Sequence, residues 1–87
     1  MYKINLEKNV MKFLEKHKWE KIIHVFTEKL KIISNNPYEN NLDIKAFKWT
    51  ENTYRLRIWK YRFLYEIIEN EITIIFFDAD SRGWIYK

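Results

Sequence analysis

Apolar residues change their spacing twice along this chain, and the changes mark out its elements. Residues 2–6, YKINL, alternate apolar and polar, which predicts a first strand. From about Leu6 to Ser34 the spacing becomes helical. Val10, Phe13 and Leu14 form one stripe; Ile23, Phe26, Leu30 and Ile33 form a second, with Ile22 and Trp19 beside it. The phase is lost in KHKWEK between them, so the pattern predicts a helical hairpin broken near His17–Lys18 rather than one long helix. SNNP at 34–37 ends the second helix: asparagine tolerates a left-handed C-cap, and Pro37 cannot continue the helix. Residues 38–52 read as a polar loop, with LDIKAFKW (42–49) as a short extended piece.

Three strands follow. Tyr54–Ile58 alternates, Arg62–Ile68 is rich in aromatic and β-branched residues, and Ile72–Phe77 is the nearly continuous apolar run of a central strand. EN at 69–70 is the turn between the last two. DADSRG (78–83) reads as a loop and WIYK (84–87) as a terminal extended segment. The expected fold is α+β in the order β-α-α-β-β-β. A helical hairpin packs on one face of a mostly antiparallel sheet and leaves the other face partly open, because no further helix exists to cover it.

Composition fits this picture. At 87 residues the chain makes one domain, 1–87, and its 47% hydrophobic content supplies one core. Cysteine is missing, which excludes disulfides, thiolate metal sites and cysteine nucleophiles, and predicts a reducing cytoplasm. The charged N-terminus MYKINLEKNV lacks the apolar core of a signal peptide. The longest apolar run, ITIIFF, is far short of the roughly 20 residues of a membrane helix. A net charge of +4 admits a nucleic-acid or an acidic protein partner without choosing between them.

The chemistry lies in the strands. Arg55 and Arg57 share one strand face, opposite Tyr54, Leu56 and Ile58. With the helices on the apolar set, the arginines lie on the open face. A turn at Trp59–Lys60 pairs Ile58 with Tyr61 and Arg57 with Arg62, which gathers three arginines into one cluster. Like charges facing each other across strands are destabilising. Two readings follow: an anion sits between them, held by guanidinium forks, or Glu66, Glu51 or Asp43 neutralises them.

The segments NPY, LDIKAFK, YRLRIWKYRFLYEI and EITIIFFDADSRGWIYK together resemble the RelE/ParE superfamily of toxins from type II toxin–antitoxin modules, over nearly the whole chain. A RelE-like member implies a ribosome-dependent endoribonuclease, an mRNA interferase, that cuts message in the ribosomal A site with neither metal nor cofactor. The messenger's own 2′-OH attacks the adjacent phosphate on the concave open face of the sheet. By resemblance Arg62 contacts the scissile phosphate, Arg82 is a second catalytic arginine, and Tyr86 positions or deprotonates the 2′-OH or stacks on a base. Arg55 and Arg57 fall where RelE carries two lysines. Arginine stabilises charge but is a poor base, so proton removal falls to Tyr86, Glu66 or a ribosomal group.

Four positions depart from the family pattern. Trp59-Lys60 stands where Gly-Asp is common, Trp84 where an acidic residue is, and Ser81 where a histidine is. His17 and His24 lie in the helical half as surface or packing residues. Trp49, Trp59 and Trp84 stack on bases or plug the rim of the core; Lys45 and Lys48 are candidate phosphate contacts. Partners implied are a cognate antitoxin with an acidic or amphipathic segment, and the ribosome with its message, but no membrane or small-molecule ligand. The alternative is a ParE-like toxin that inhibits DNA gyrase by binding it.

Overall fold

A computed structural model describes residues 1–38, 40–47 and 50–80. The elements are β1 (Lys3–Leu6), α1 (Lys8–Lys16), α2 (Lys21–Asn35), β2 (Ile44–Ala46), β3 (Thr53–Ile58), β4 (Tyr61–Ile68), a 3-10 turn (Glu69–Glu71) and β5 (Thr73–Asp80). The sheet order is β1-β5-β4-β3-β2. β1 runs parallel to β5 and the remaining pairs are antiparallel. The α+β expectation therefore stands, with one more strand: the extended piece around Ile44 joins the sheet edge as β2.

Both helices pack on one face, and alternation decides which residues they cover. Tyr61, Phe63, Tyr65 and Ile67 of β4 point to the helices and are buried. Phe63 is the centre of this layer. It stacks on Phe26 of α2 at 4.2 Å and meets Phe13 of α1 edge-on at 5.3 Å. The hairpin breaks where expected. His17 packs on Phe13 and Tyr61, and Glu20 accepts from Tyr61 Oη at 3.0 Å and contacts His17 Nδ1 at 2.9 Å. The two interactions hold the Glu20 carboxyl below its ordinary range, the His17 contact most. At the far end of α2, Ser34 Oγ donates to the Tyr2 carbonyl and the Tyr2 N–H donates to the Ser34 carbonyl, fixing β1 against the helix.

Four local expectations fail. Trp19 is 90% exposed at the hairpin tip rather than beside the apolar stripe, because it lies in the turn, before α2 begins at Lys21. The C-cap of α2, Asn36, is not left-handed (φ −152°, ψ 83°), because the ring of the following Pro37 restricts the residue before it to negative φ and positive ψ. The turn at 69–70 forms where expected, as a 3-10 turn, but Ile72, expected to open the last strand, closes that turn in the left-handed region (φ 50°), and β5 starts at Thr73. Finally, β5 runs on through Asp78, Ala79 and Asp80, where the sequence pattern predicts a loop. A bulge opposite Leu64 and Tyr65 makes this possible. Leu64 pairs with Asp78 and Tyr65 with Phe76, so Phe77 is the extra residue. The bulge reverses the alternation, so that Phe76 faces the helices while Asp78 and Asp80 face away.

Candidate functional site

On the sheet face away from the helices, cross-strand register makes rows. Arg57 of β3, Arg62 of β4 and Asp80 of β5 form one row. Lys45 of β2, Arg55, Leu64 and Asp78 form the next, and Thr53 and Glu66 lie beyond. Arg57 and Arg62 thus oppose each other as the turn at Trp59–Lys60 requires. Both reach toward that turn: Arg57 Nε donates to the Trp59 carbonyl at 3.0 Å and Arg62 Nη1 to the Lys60 carbonyl at 2.9 Å. The pair therefore sits at the turn end of the β3–β4 hairpin, with Arg57 exposed.

Arg55 does not belong to this exposed pair. It lies opposite Leu64, not Arg62, is 3% exposed, and donates to Asp43 Oδ1 at 3.2 Å. Asp43 leads into β2 and also accepts the Arg57 N–H through its carbonyl. Burying a guanidinium demands a carboxylate partner, and Asp43 supplies one. The neutralisation weighed from sequence is thus the geometry at Arg55, through Asp43. Removing the partner exposes the cost: Asp43→Ala is expected to lower stability by about 1–3 kcal/mol in urea titration. An unchanged midpoint would mean that Arg55 is held by its other contacts.

Trp59, placed in the turn as expected, is half-exposed and left-handed at φ 58°. For a bulky residue this conformation costs about 1–2 kcal/mol, which glycine avoids. Trp59→Gly should therefore raise the melting temperature by about 2–6 °C, less the extra freedom of the unfolded glycine chain. A lower temperature would show that the indole packs on the rim rather than waiting for a ligand. Lys45 is exposed beside Arg55. Arg82, Tyr86, Trp84, Lys48 and Trp49 lie outside the described residues. His24 is exposed on α2, and among the described residues no three His, Asp or Glu side chains are grouped to hold a metal.

Asp80 escaped the sequence reading. Its signal was the D-A-D alternation after the apolar run, which continues a strand with Ala79 toward the helices. Opposite charges in register, Asp80 with Arg62, offset part of the Arg57–Arg62 repulsion.

No protein-family model matches the sequence, and no curated protein does. Solved structures do. The RelB–RelE antitoxin–toxin complex from Methanococcus jannaschii contains a chain 31% identical, with 94% of each chain covered and a TM-score of 0.75. The archaeal RelE–RelB complex from Pyrococcus horikoshii OT3 matches at 24% identity, TM-score 0.79, covering 95% of this chain and 97% of that one. The intact RelBE toxin–antitoxin complex of E. coli shares the fold at 13% identity and TM-score 0.79, covering 95% and 99%.

Proposed function

The chain belongs to the RelE family of toxin–antitoxin toxins, and from that premise we propose that it is a ribosome-dependent mRNA interferase, an endoribonuclease acting in the cytoplasm as one domain. One observation carries the reading: two arginines oppose each other in register beside the β3–β4 turn, a like-charge pair on the sheet face away from the helices. An RNA phosphate between them removes the repulsion and receives two charged donors.

In the reaction the 2′-oxygen attacks the adjacent phosphorus and the bond from phosphorus to the 5′-oxygen breaks. A 2′,3′-cyclic phosphate and a 5′-hydroxyl result. The 2′ proton passes to a base and a proton reaches the leaving 5′-oxygen. Arg62 and Arg57 stabilise the charge that gathers on the phosphoryl oxygens, with Arg82 as a further donor. Neither arginine exchanges protons, so the base is Tyr86, Glu66 or a ribosomal group. Arg55 is assigned a supporting part, holding β2 in place through Asp43. Lys45 and Lys48 meet backbone phosphate, and Trp59 and Trp84 stack on bases.

The natural partner is a cognate antitoxin, as in the complexes of the solved relatives. Its carboxylates would occupy the arginine pair and close the site.

The test is a cell-free translation reaction with purified protein, in which message 5′ ends are read by primer extension with and without ribosomes. New ends at A-site codons, only with ribosomes, support the interferase. Intact message overturns it and directs attention to gyrase supercoiling.

A further inference from the structure

A second site lies on the other face of the sheet, at the opposite end of β3. Tyr54 is three residues from Arg57, so the two are about 10 Å apart along the strand and point to opposite sides. Around Tyr54 two grooves meet. The larger, of about 720 Å³, is lined by Tyr38, Tyr54, Ile67, Glu51 and Glu69 among others, and no lysine or arginine is among its described lining residues. The smaller, of about 170 Å³, shares Tyr38 and Tyr54 and adds the apolar side chains of Pro37, Leu42, Ile44 and Ala46. In a chain with 16 basic and 12 acidic residues, a groove with two carboxylates and no base runs against the background.

The carboxylate at its centre is built, not incidental. Glu69 accepts from Tyr2 Oη at 2.6 Å on one oxygen and from Tyr38 Oη on the other. These bonds, that from Tyr2 most, hold its carboxyl below the ordinary range, so it is ionised at neutral pH. The same carboxylate, with burial, pushes the Tyr38 phenol up, so the ring stays neutral. No cation pairs with Glu69 or Glu51 among the described residues. Beneath lies a second irregularity. Tyr65 is fully buried with its ring stacked on Tyr54 at 5.5 Å, and its hydroxyl has no hydrogen-bond partner. Burial raises that phenol, and the neighbouring Tyr54 and Tyr38 phenols raise it further. A buried hydroxyl left unpaired costs about 1–3 kcal/mol.

A negative groove repels phosphate, so nucleic acid does not fit. A metal would need an oxygen cluster that neutral phenols do not supply. We propose that the paired grooves dock a segment of a protein partner in which an arginine neighbours an aliphatic residue. The guanidinium lies on the Tyr38–Tyr54 rings and donates to Glu69 and Glu51, while the aliphatic side chain enters the apolar pocket. Arginine fits better than lysine because its plane stacks on a ring while its fork binds carboxylate. The smaller groove, of about 170 Å³ and lined by Pro37, Leu42, Ile44 and Ala46 beside Asn40, has room for a small aliphatic side chain.

The experiment is a titration of isotope-labelled full-length protein, followed by amide NMR, with blocked peptides Gly-Arg-Leu-Gly and Gly-Glu-Leu-Gly. The arginine peptide should give saturable shifts at Tyr38, Tyr54 and Glu69, with Arg57 and Arg62 unmoved, and the glutamate peptide none. Glu51→Lys, at an exposed position, should weaken binding at least about fivefold without changing the melting curve. Glu69→Gln, which removes the charge and keeps one of the two acceptor oxygens, should weaken binding likewise. No shift with the arginine peptide, equal shifts with both peptides, or undiminished affinity in both variants would overturn the proposal. Because these readouts involve no RNA, they stand or fall apart from the interferase reading.

Discussion

In a translating extract, Arg62→Ala is expected to slow message cleavage about 10²–10³-fold, the usual loss for one preorganised charge donor in a reaction of this kind. Its stability should stay within about 0.5 kcal/mol of the parent, as for a partly exposed position away from the core. The two expectations belong together. Arg62 lies on the sheet face away from the helices, so truncation leaves the aromatic layer untouched. Arg62→Lys separates charge from geometry: the ammonium keeps the charge but loses the fork, so a partial recovery is expected, well short of the parent rate. Melting curves and primer-extension time courses decide the matter. Parent-like cleavage by Arg62→Ala would remove the arginine pair from the reaction. Loss of cleavage with loss of fold would make Arg62 structural and leave the site unassigned.

Strand alternation and one hairpin turn are enough to place Arg57 against Arg62, because a turn of fixed length leaves one register. Helical spacing likewise located the break at His17. What alternation could not carry was depth. Arg55 has the same parity as Arg57, yet it is buried, because burial depends on Asp43, which joins it only once β2 has paired with β3. The bulge at Phe77 is the second blind spot: it inverts inward and outward positions within one strand, so Asp78 and Asp80 were read as loop. The left-handed Ile72 is the third, since a β-branched residue carries no local preference for that conformation. The tyrosines around Glu69 come from residues 2, 38, 54 and 65, and only the tertiary fold assembles them.

Phe63→Ala is expected to cost about 3–5 kcal/mol, against a total stability of about 4–13 kcal/mol for a chain of this length. Phe63 is fully buried between both helices, stacked on Phe26 and edge-on to Phe13, and its removal takes the contact surface from α1 and α2 at once. Its cross-strand neighbours Leu56 and Ala79 are too small to close the void. A urea midpoint lowered by about 1–3 M, or a chain already unfolded at room temperature, is the expected reading. Phe63→Leu keeps most of the volume and should cost only about 1.5 kcal/mol. A midpoint near that of the parent for Phe63→Ala would mean that the helices rest on the sheet elsewhere. The contrast with the adjacent residue is the sharper point. Arg62 and Phe63 are consecutive, yet alternation sends one to the proposed phosphate site and the other to the core. Phe63→Leu should therefore retain cleavage while losing stability, and Arg62→Ala the reverse, which separates the site from the scaffold within two residues of one strand.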